Sequence, residues 1–241
     1  MQQFDTTFDA VFSANHLEKY ATEKNKQAYR ALCEHILEVN KIHNLTAIRD
    51  VPGVITKHFA DSLTIAAHIP DNSSLIDVGT GGGFPTLPLA IARPDLYITA
   101  IDSTAKKITH VQSTANLFAL NNVKAITGRA EELAQTNMRE SFDAATARAV
   151  SELRILCELT LPFVKIGGVL IAMKGASGKQ ELSDAQNAIK KLGGELINEH
   201  YVPLTDEHGS QEDRWLFIIK KVSHTPQNFP RQYSQILKKP L

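Results

Sequence analysis

The chain lacks any long hydrophobic run. None of its apolar stretches reaches the roughly 18 residues a membrane-spanning helix needs. It has two cysteines in 241 residues, Cys33 and Cys157. They stand far apart in helix-like segments, which suits small core residues in a reducing compartment better than a disulfide. Met1 to Ala10 holds two acids and no basic residue, unlike a secretory signal. Neither sign of charge is in excess: Lys+Arg and Asp+Glu are 26 each. That argues against a bulk polyanion binder, though not against a local basic surface. No His/Cys/Asp cluster has metal-ligand spacing, so no metal is expected. These absences leave a soluble, cytoplasmic protein whose 43% apolar content suffices for a substantial core.

What is present is a change of rhythm. The first seventy residues follow helical spacing. Phe4, Phe8, Val11 and Phe12 form one stripe. A second runs from His16 to about Ile42 and breaks at His43-Asn44-Leu45-Thr46. A third spans Val54 to Ala67 and stops before Pro70. From Ser74 strands alternate with helices. Strands are expected at 74–78, 97–101, 123–127, 142–147 and 168–173, and helices at 85–92, 104–119, 129–136, 151–163 and 178–192. Such alternation implies an α/β fold with a parallel sheet covered on both faces. Glu195 to Val202 and Arg214 to Lys221 read as a terminal antiparallel hairpin. The expected organisation is a helical extension over 1–70 packed on the core, a cofactor-binding core over 71–222, and a basic arm over 223–241. From Lys220 to the end there are five basic residues (Lys220, Lys221, Arg231, Lys238, Lys239) and no acid. That is either a solvated tail or an arm that contacts phosphates.

The segment Leu75-Ile76-Asp77-Val78-Gly79-Thr80-Gly81-Gly82-Gly83-Phe84 carries the chemistry. A strand, a glycine turn and a helix make the layout that cradles a nucleotide-like ligand. The glycines allow a tight turn and close backbone approach. Asp77 lies inside the strand, two residues before the first glycine. A carboxylate there repels a pyrophosphate and suits a positively charged ligand, such as the ammonium of a methionine moiety. Asp102, followed by Ser103, ends the second strand and can accept hydrogen bonds from ribose hydroxyls. Gly128-Arg129-Ala130-Glu131-Glu132 follows the third strand and can face an adenine edge; equally, its acids favour the next helix through the dipole. No Walker lysine follows the glycines. The cofactor that fits is S-adenosylmethionine rather than NAD or a nucleoside triphosphate.

Arg148 follows the fourth strand, where sheet ends meet the ligand crevice. It can pair with a methionine carboxylate, hold an RNA phosphate or donate to a guanine O6. The bland alternative is a salt bridge to Glu152 or Asp143. His58 and Asp61, three apart, share a helix face, either as a packing pair or on a helix closing over the cofactor. His43 and His110 read as lone surface or boundary histidines. Lys106, Lys107, Arg129, Lys174 and Lys179 are expected around the crevice mouth as RNA contacts. The segment after the fourth strand, Thr146 to Ser151, has no Asn/Asp-Pro-Pro-aromatic turn to hold an exocyclic amine. Cys157 falls mid-helix, away from any role in cytosine C5 chemistry.

Taken together, Asn44-Leu45-Thr46, Lys57 to Leu63, Asp77 to Phe84, Asp102-Ser103, Arg129-Ala130-Glu131, Ala147-Arg148-Ala149 and Met173-Lys174-Gly175 resemble the RsmG (GidB) family of 16S ribosomal RNA guanine-N7 methyltransferases, within the class I methyltransferase fold. The resemblance covers nearly the whole chain. It implies a Rossmann-like, seven-stranded, mostly parallel sheet with a reversed last hairpin. It implies S-adenosylmethionine contacts at Gly79, Phe84, Ala130, Glu131 and Arg148, beside Asp77, Gly81, Asp102 and Ser103 of the glycine turn and second strand. It makes Arg148 the candidate catalytic residue and 16S RNA in the small subunit the partner, with a monomer expected. Guanine N7 carries no proton, so methyl transfer needs alignment and water exclusion rather than a general base. The tail departs from the family pattern: Ser234 and Ile236 stand where a glycine and a proline are expected. Two other readings share these features, a methyltransferase of another substrate and a non-catalytic, cofactor-binding ribosome-assembly factor.

Overall fold

A computed structural model describes residues 2–241. The strands are β1 (Ser74–Val78), β2 (Tyr97–Asp102), β3 (Val123–Thr127), β4 (Phe142–Arg148), β5 (Val164–Lys174), β6 (Gly194–Tyr201), the short β7 (Leu204–Thr205) and β8 (Gln211–Glu212), and β9 (Trp215–Lys221). Seven of them form one sheet in the order β3-β2-β1-β4-β5-β9-β6, and β7 pairs with β8 separately. β1 to β5 pair in parallel, whereas β9 runs antiparallel to both β5 and β6. This is the mostly parallel sheet with a reversed final hairpin that the alternation predicts. The sheet grows from β1 in both directions, so a crevice opens beyond the carboxyl ends of β1 and β4. Register places Asp77 beside Ala100 on one side and Thr146 on the other.

Apolar residues on both sheet faces explain the two cores. One unites Phe8, Phe12, Tyr29 and Phe59 of the N-terminal helices with Leu75, Ile98 and Ile171 of the sheet. Ring centroids of Phe8 and Phe12 are 3.8 Å apart, and those of Tyr29 and Phe59 5.2 Å. The buried Tyr29 hydroxyl donates to the Pro88 carbonyl at 3.1 Å, tying the extension to the helix Thr86–Ala92. The opposite core packs helices Leu153–Thr160, Gly178–Asp184 and Gln186–Lys191 against Ile76, Leu170 and Phe217.

Three boundaries differ from the pattern. The stripe from His16 to Ile42 is cut at Thr22, whose hydroxyl caps the helix Glu23–His43 by accepting from the Asn25 N–H at 3.2 Å; local capping outweighs periodicity there. The side chain of His43 lies outside the described residues. β5 starts at Val164 rather than at 168 and runs through Gly167 and Gly168. A Cβ on Gly168 would stand 2.5 Å from the Asp143 carbonyl, so glycine permits the close approach to β4. The third helix begins at Asp50, which caps it through the Gly53 N–H at 2.8 Å. It runs through Val51–Gly53, a π-helical stretch Val54–Ala60 and Asp61–Leu63. Such wide turns recur at functional sites. This one brings Lys57, His58 and Asp61 to one cavity wall.

Candidate active site

Beyond β1 the chain makes its glycine turn. The Gly79 and Thr80 N–H groups both donate to the Ile101 carbonyl, at 2.8 and 3.0 Å, locking the turn to β2. Gly79 has φ +76°, and a Cβ there would stand 2.6 Å from Val150 Cγ2. The turn opens onto a cavity of about 340 Å³ lined by Gly79, Asp102, Ser103, Ala130, Glu131, Val150 and Tyr233, among others. The Asp102 carboxylate accepts from the Gly81 N–H at 3.1 Å and the Thr104 N–H at 2.8 Å, so it is fixed at the cavity edge. Glu131 is held by Arg129 Nε at 2.6 Å.

Asp77 sits beneath this turn and is fully buried. The Thr86 hydroxyl donates to its Oδ2 at 2.7 Å, while Oδ1 has no hydrogen-bond partner. Burial pushes its carboxyl up to about 6. A carboxylate so placed acts on a cationic ligand through its field. An acid buried under the turn, a carboxylate fixed at the cavity edge and a glycine turn at its wall fit a nucleoside bearing a cationic tail.

The predicted cofactor residues therefore separate. Gly79, Asp102, Ser103, Ala130 and Glu131 line this cavity. Asp77 and Gly81 do not line it: Asp77 is fully buried beneath the turn, and Gly81 reaches the cavity edge through its N–H to Asp102. Phe84 is buried and stacks on His58 with ring centroids 4.1 Å apart. Arg148 lines a second cavity of about 590 Å³, which shares Ala149 and Val150 with the first.

Arg148 is the last residue of β4. Its Nη1 donates to the Lys57 carbonyl at 2.7 Å and to Asp61 Oδ2 at 2.8 Å. Its guanidinium lies 5.5 Å over the Phe84 ring. Neither acid first considered as its partner is engaged: Glu152 pairs with Arg154, and Asp143 with Lys165. Asp61 accepts a second guanidinium, Arg214 Nε at 2.9 Å, and Arg214 continues to Glu212 at 3.0 Å. Lys57 meets the same Glu212 at 2.6 Å. His58 faces this network with its ring neutral, since burial first and the Arg148 cation second hold it down to about 3.

The bridging role of Asp61 and the presence of Arg214 were not readable from sequence spacing. An Arg at the start of a predicted hairpin strand was the one available signal for the latter. Two of the basic residues are tied to acids. Lys174 lines the larger cavity but is buried, its ammonium bonded to the Ser151 carbonyl and, at 2.7 Å, to Glu181, so it fixes the loop after β4. Lys179 is committed to Glu199 and lies over the Trp215 ring. Lys106 and Arg129 are exposed, and Lys107 lies 3.7 Å from Asp102. The arm is likewise only partly free. Lys221 is fully buried, donating to the Leu161 carbonyl at 2.8 Å and meeting Glu140 at 3.2 Å. Arg231 pairs with buried Glu158 at 2.6 Å. Lys220, Lys238 and Lys239 stay exposed. Cys157 is a core residue whose thiol burial pushes up to about 12.

Comparison with known proteins bears on the fold and the family. Among solved structures, the fold is similar to that of an O-methyltransferase from Bacillus cereus in complex with SAH, at TM-score 0.56 and 19% identity, covering 79% of this chain and 91% of that one. It is also similar to a geranyl diphosphate methyltransferase in complex with SAM, at TM-score 0.52 and 12% identity, covering 68% and 85%. Likenesses at this identity speak for the fold. In sequence the chain is 43% identical to a ribosomal RNA small subunit methyltransferase G from Leuconostoc citreum, over 98% of this chain and 99% of that protein. It is 41% identical to the protein of the same name from a Thermoanaerobacter species, over 97% and 92%. Residues 25–208 match the family described as GidB, rRNA small subunit methyltransferase G. With a family match over most of its length and relatives this similar end to end, the chain belongs to the GidB family of rRNA small subunit methyltransferases.

Proposed function

We propose that this protein transfers the methyl group of S-adenosylmethionine to N7 of a guanine in 16S ribosomal RNA, by direct in-line attack without a general base. The observation that carries the reading is the pair of cavities meeting at Ala149 and Val150. One has the glycine turn and carboxylates for a cationic nucleoside. The other, about 590 Å³, is large enough for a flipped-out base.

When bound, the cofactor supplies an electrophilic methyl on a sulfonium. The chain's own residues hold, orient and exclude water. Asp102 and Ser103 take the ribose, Ala130 and Glu131 the base edge, and the field of Asp77 the positive end. Arg148 lines the larger cavity, next in the chain to the shared Ala149 and Val150, where its guanidinium suits the acceptor edge of guanine. A base without an N–H at the reacting atom needs no proton acceptor. His58, neutral and with its Nε2 already 2.8 Å from the Thr46 hydroxyl, suits a positioning role. A substrate within the small subunit or an assembly intermediate agrees with a chain of zero net charge, since capture of bare RNA leans on excess cations.

Methyl transfer from labelled cofactor to small subunits and to naked 16S RNA tests the activity. Borohydride–aniline scission then maps the product. Labelling with cleavage at one guanine is the expected result. Labelled RNA that resists scission would move the methyl to another atom, and no labelling of either substrate would leave only binding.

A further inference from the structure

We infer that the C-terminal segment is a wall of the cofactor cavity, with the Tyr233 ring closing the end that takes the nucleobase. This rests on the cofactor reading above. Tyr233 opens the short helix Tyr233–Lys238 and is half-buried. It lines the same cavity as Asp102, Ala130 and Glu131. The Arg129 guanidinium lies 5.1 Å over its ring, while the same arginine holds Glu131 at 2.6 Å. One cation therefore links the tail ring to the acid at the base edge.

The tail is anchored for this task. Ile236 is fully buried against Ile155 and Leu159, and Ala130, Val150 and Tyr233 pack on that cluster. Leu159 also lines the cavity, so the surface that seats the tail is continuous with the ligand wall. Arg231 donates to Glu158 three times, from its backbone N–H at 2.9 Å and from its guanidinium at 2.8 and 2.6 Å. Glu158 is fully buried, and a buried charge of this kind requires its partner. Ile236 is one of the two tail positions that depart from the family pattern, and it is the helix's one buried residue. An aromatic surface against a base is tolerant of ring edge chemistry and adds measurable affinity. Docking of the tail and binding of a nucleoside thus favour each other.

Calorimetric titration of the full-length chain with S-adenosylhomocysteine tests this. Tyr233→Ala is expected to weaken binding about five- to fifteenfold, the lower part of the range for base–aromatic contacts. Tyr233→Phe is expected to bind like the unaltered chain. Ile236→Asp, which unseats the helix without touching the cavity, is expected to reproduce the loss, with far-UV circular dichroism confirming that the fold persists. Free methionine competes equally with all variants if the effect sits at the nucleobase end. Unchanged affinity in folded Tyr233→Ala overturns this inference alone. No binding by the unaltered chain overturns the cofactor reading, and this inference with it.

Discussion

The Arg148 guanidinium and the Asp61 carboxylate meet at 2.8 Å, 87 residues apart in sequence. Asp61 is nearly inaccessible and is shared with Arg214 at 2.9 Å. Three elements, the 51–63 helix, β4 and the start of β9, therefore converge on one carboxylate, and they do so on the wall of the larger cavity.

Replacing Arg148 with alanine leaves Asp61 with one cation and the Lys57 carbonyl without its donor. Methylation of small subunits is expected to fall by at least about a hundredfold, the scale seen when a positioned donor is lost. Stability should fall by about 1–3 kcal/mol, read as the shift of a urea midpoint. Arg148→Lys keeps the charge but not the planar guanidinium, whose Nη1 meets the Lys57 carbonyl and Asp61 while Nη2 lies 3.4 Å from His58, so it should recover most of the stability and little of the turnover. Near-normal turnover by purified Arg148→Ala would remove the residue from the machinery.

The glycine turn makes a steric demand at one position. Gly79 combines φ +76° with a neighbour 2.6 Å from any added Cβ. Gly79→Ala should weaken S-adenosylhomocysteine binding more than tenfold and cost about 1–2 kcal/mol from the backbone alone. Gly209 is the control: it has φ +82° with open space around it. Its alanine variant should show a similar backbone cost and unchanged binding. Equal effects on binding in the two variants would show that Val150 yields and that the turn is not the tight wall described.

His58 sets an acid limit on stability. Burial, with the Arg148 cation adding to it, holds the imidazole down to about 3, against about 6.5 in an unfolded chain. As pH falls the unfolded state takes up this proton first. The contribution is complete above pH 6.5 and is lost progressively toward pH 3, on the order of a few kcal/mol in all. Asp77, raised to about 6 by burial, works in the opposite sense: its share is present at low pH and lost as pH rises to about 6. The comparison that isolates His58 is therefore between variants. The gap in urea midpoint between the unaltered chain and His58→Gln should close as pH drops from 7 to 4.5. A gap that stays constant would mean the ring is protonated equally in both states.

Strand placement was legible because β1 to β4 are short apolar runs bounded by turn residues, and Asp77, Asp102 and Arg148 could be placed because each sits at or near the carboxyl end of such a run. What joins them was not. Whether Asp61 meets Arg148 depends on how a π-helical turn phases the 51–63 helix, and nothing in 3.6-residue spacing encodes that. Lys174 looked like a free cation because its neighbours in sequence are Met173 and Gly175; its acid, Glu181, arrives from the next helix. Tyr233 lies in a segment whose composition is marked by its basic residues, while its apolar anchor, Ile236, is what seats it.

The order in which the chain is made also bears on when the protein becomes competent. Translation delivers the glycine turn, Asp102 and Arg148 early, yet Arg214, Arg231 and Tyr233 all come from the stretch 214–241. Until that stretch emerges, β5 lacks its neighbour β9, Asp61 has a single cation, and Glu158 has no salt-bridge partner among those described. A half-made copy thus carries the recognisable nucleotide cradle without a finished pocket beside it. Ribosome-bound chains arrested with residues after 213 still untranslated should fail to retain S-adenosylhomocysteine, whereas released full-length chains should hold it. The pocket of each molecule is in this sense completed last, by β9 and the helix Tyr233–Lys238.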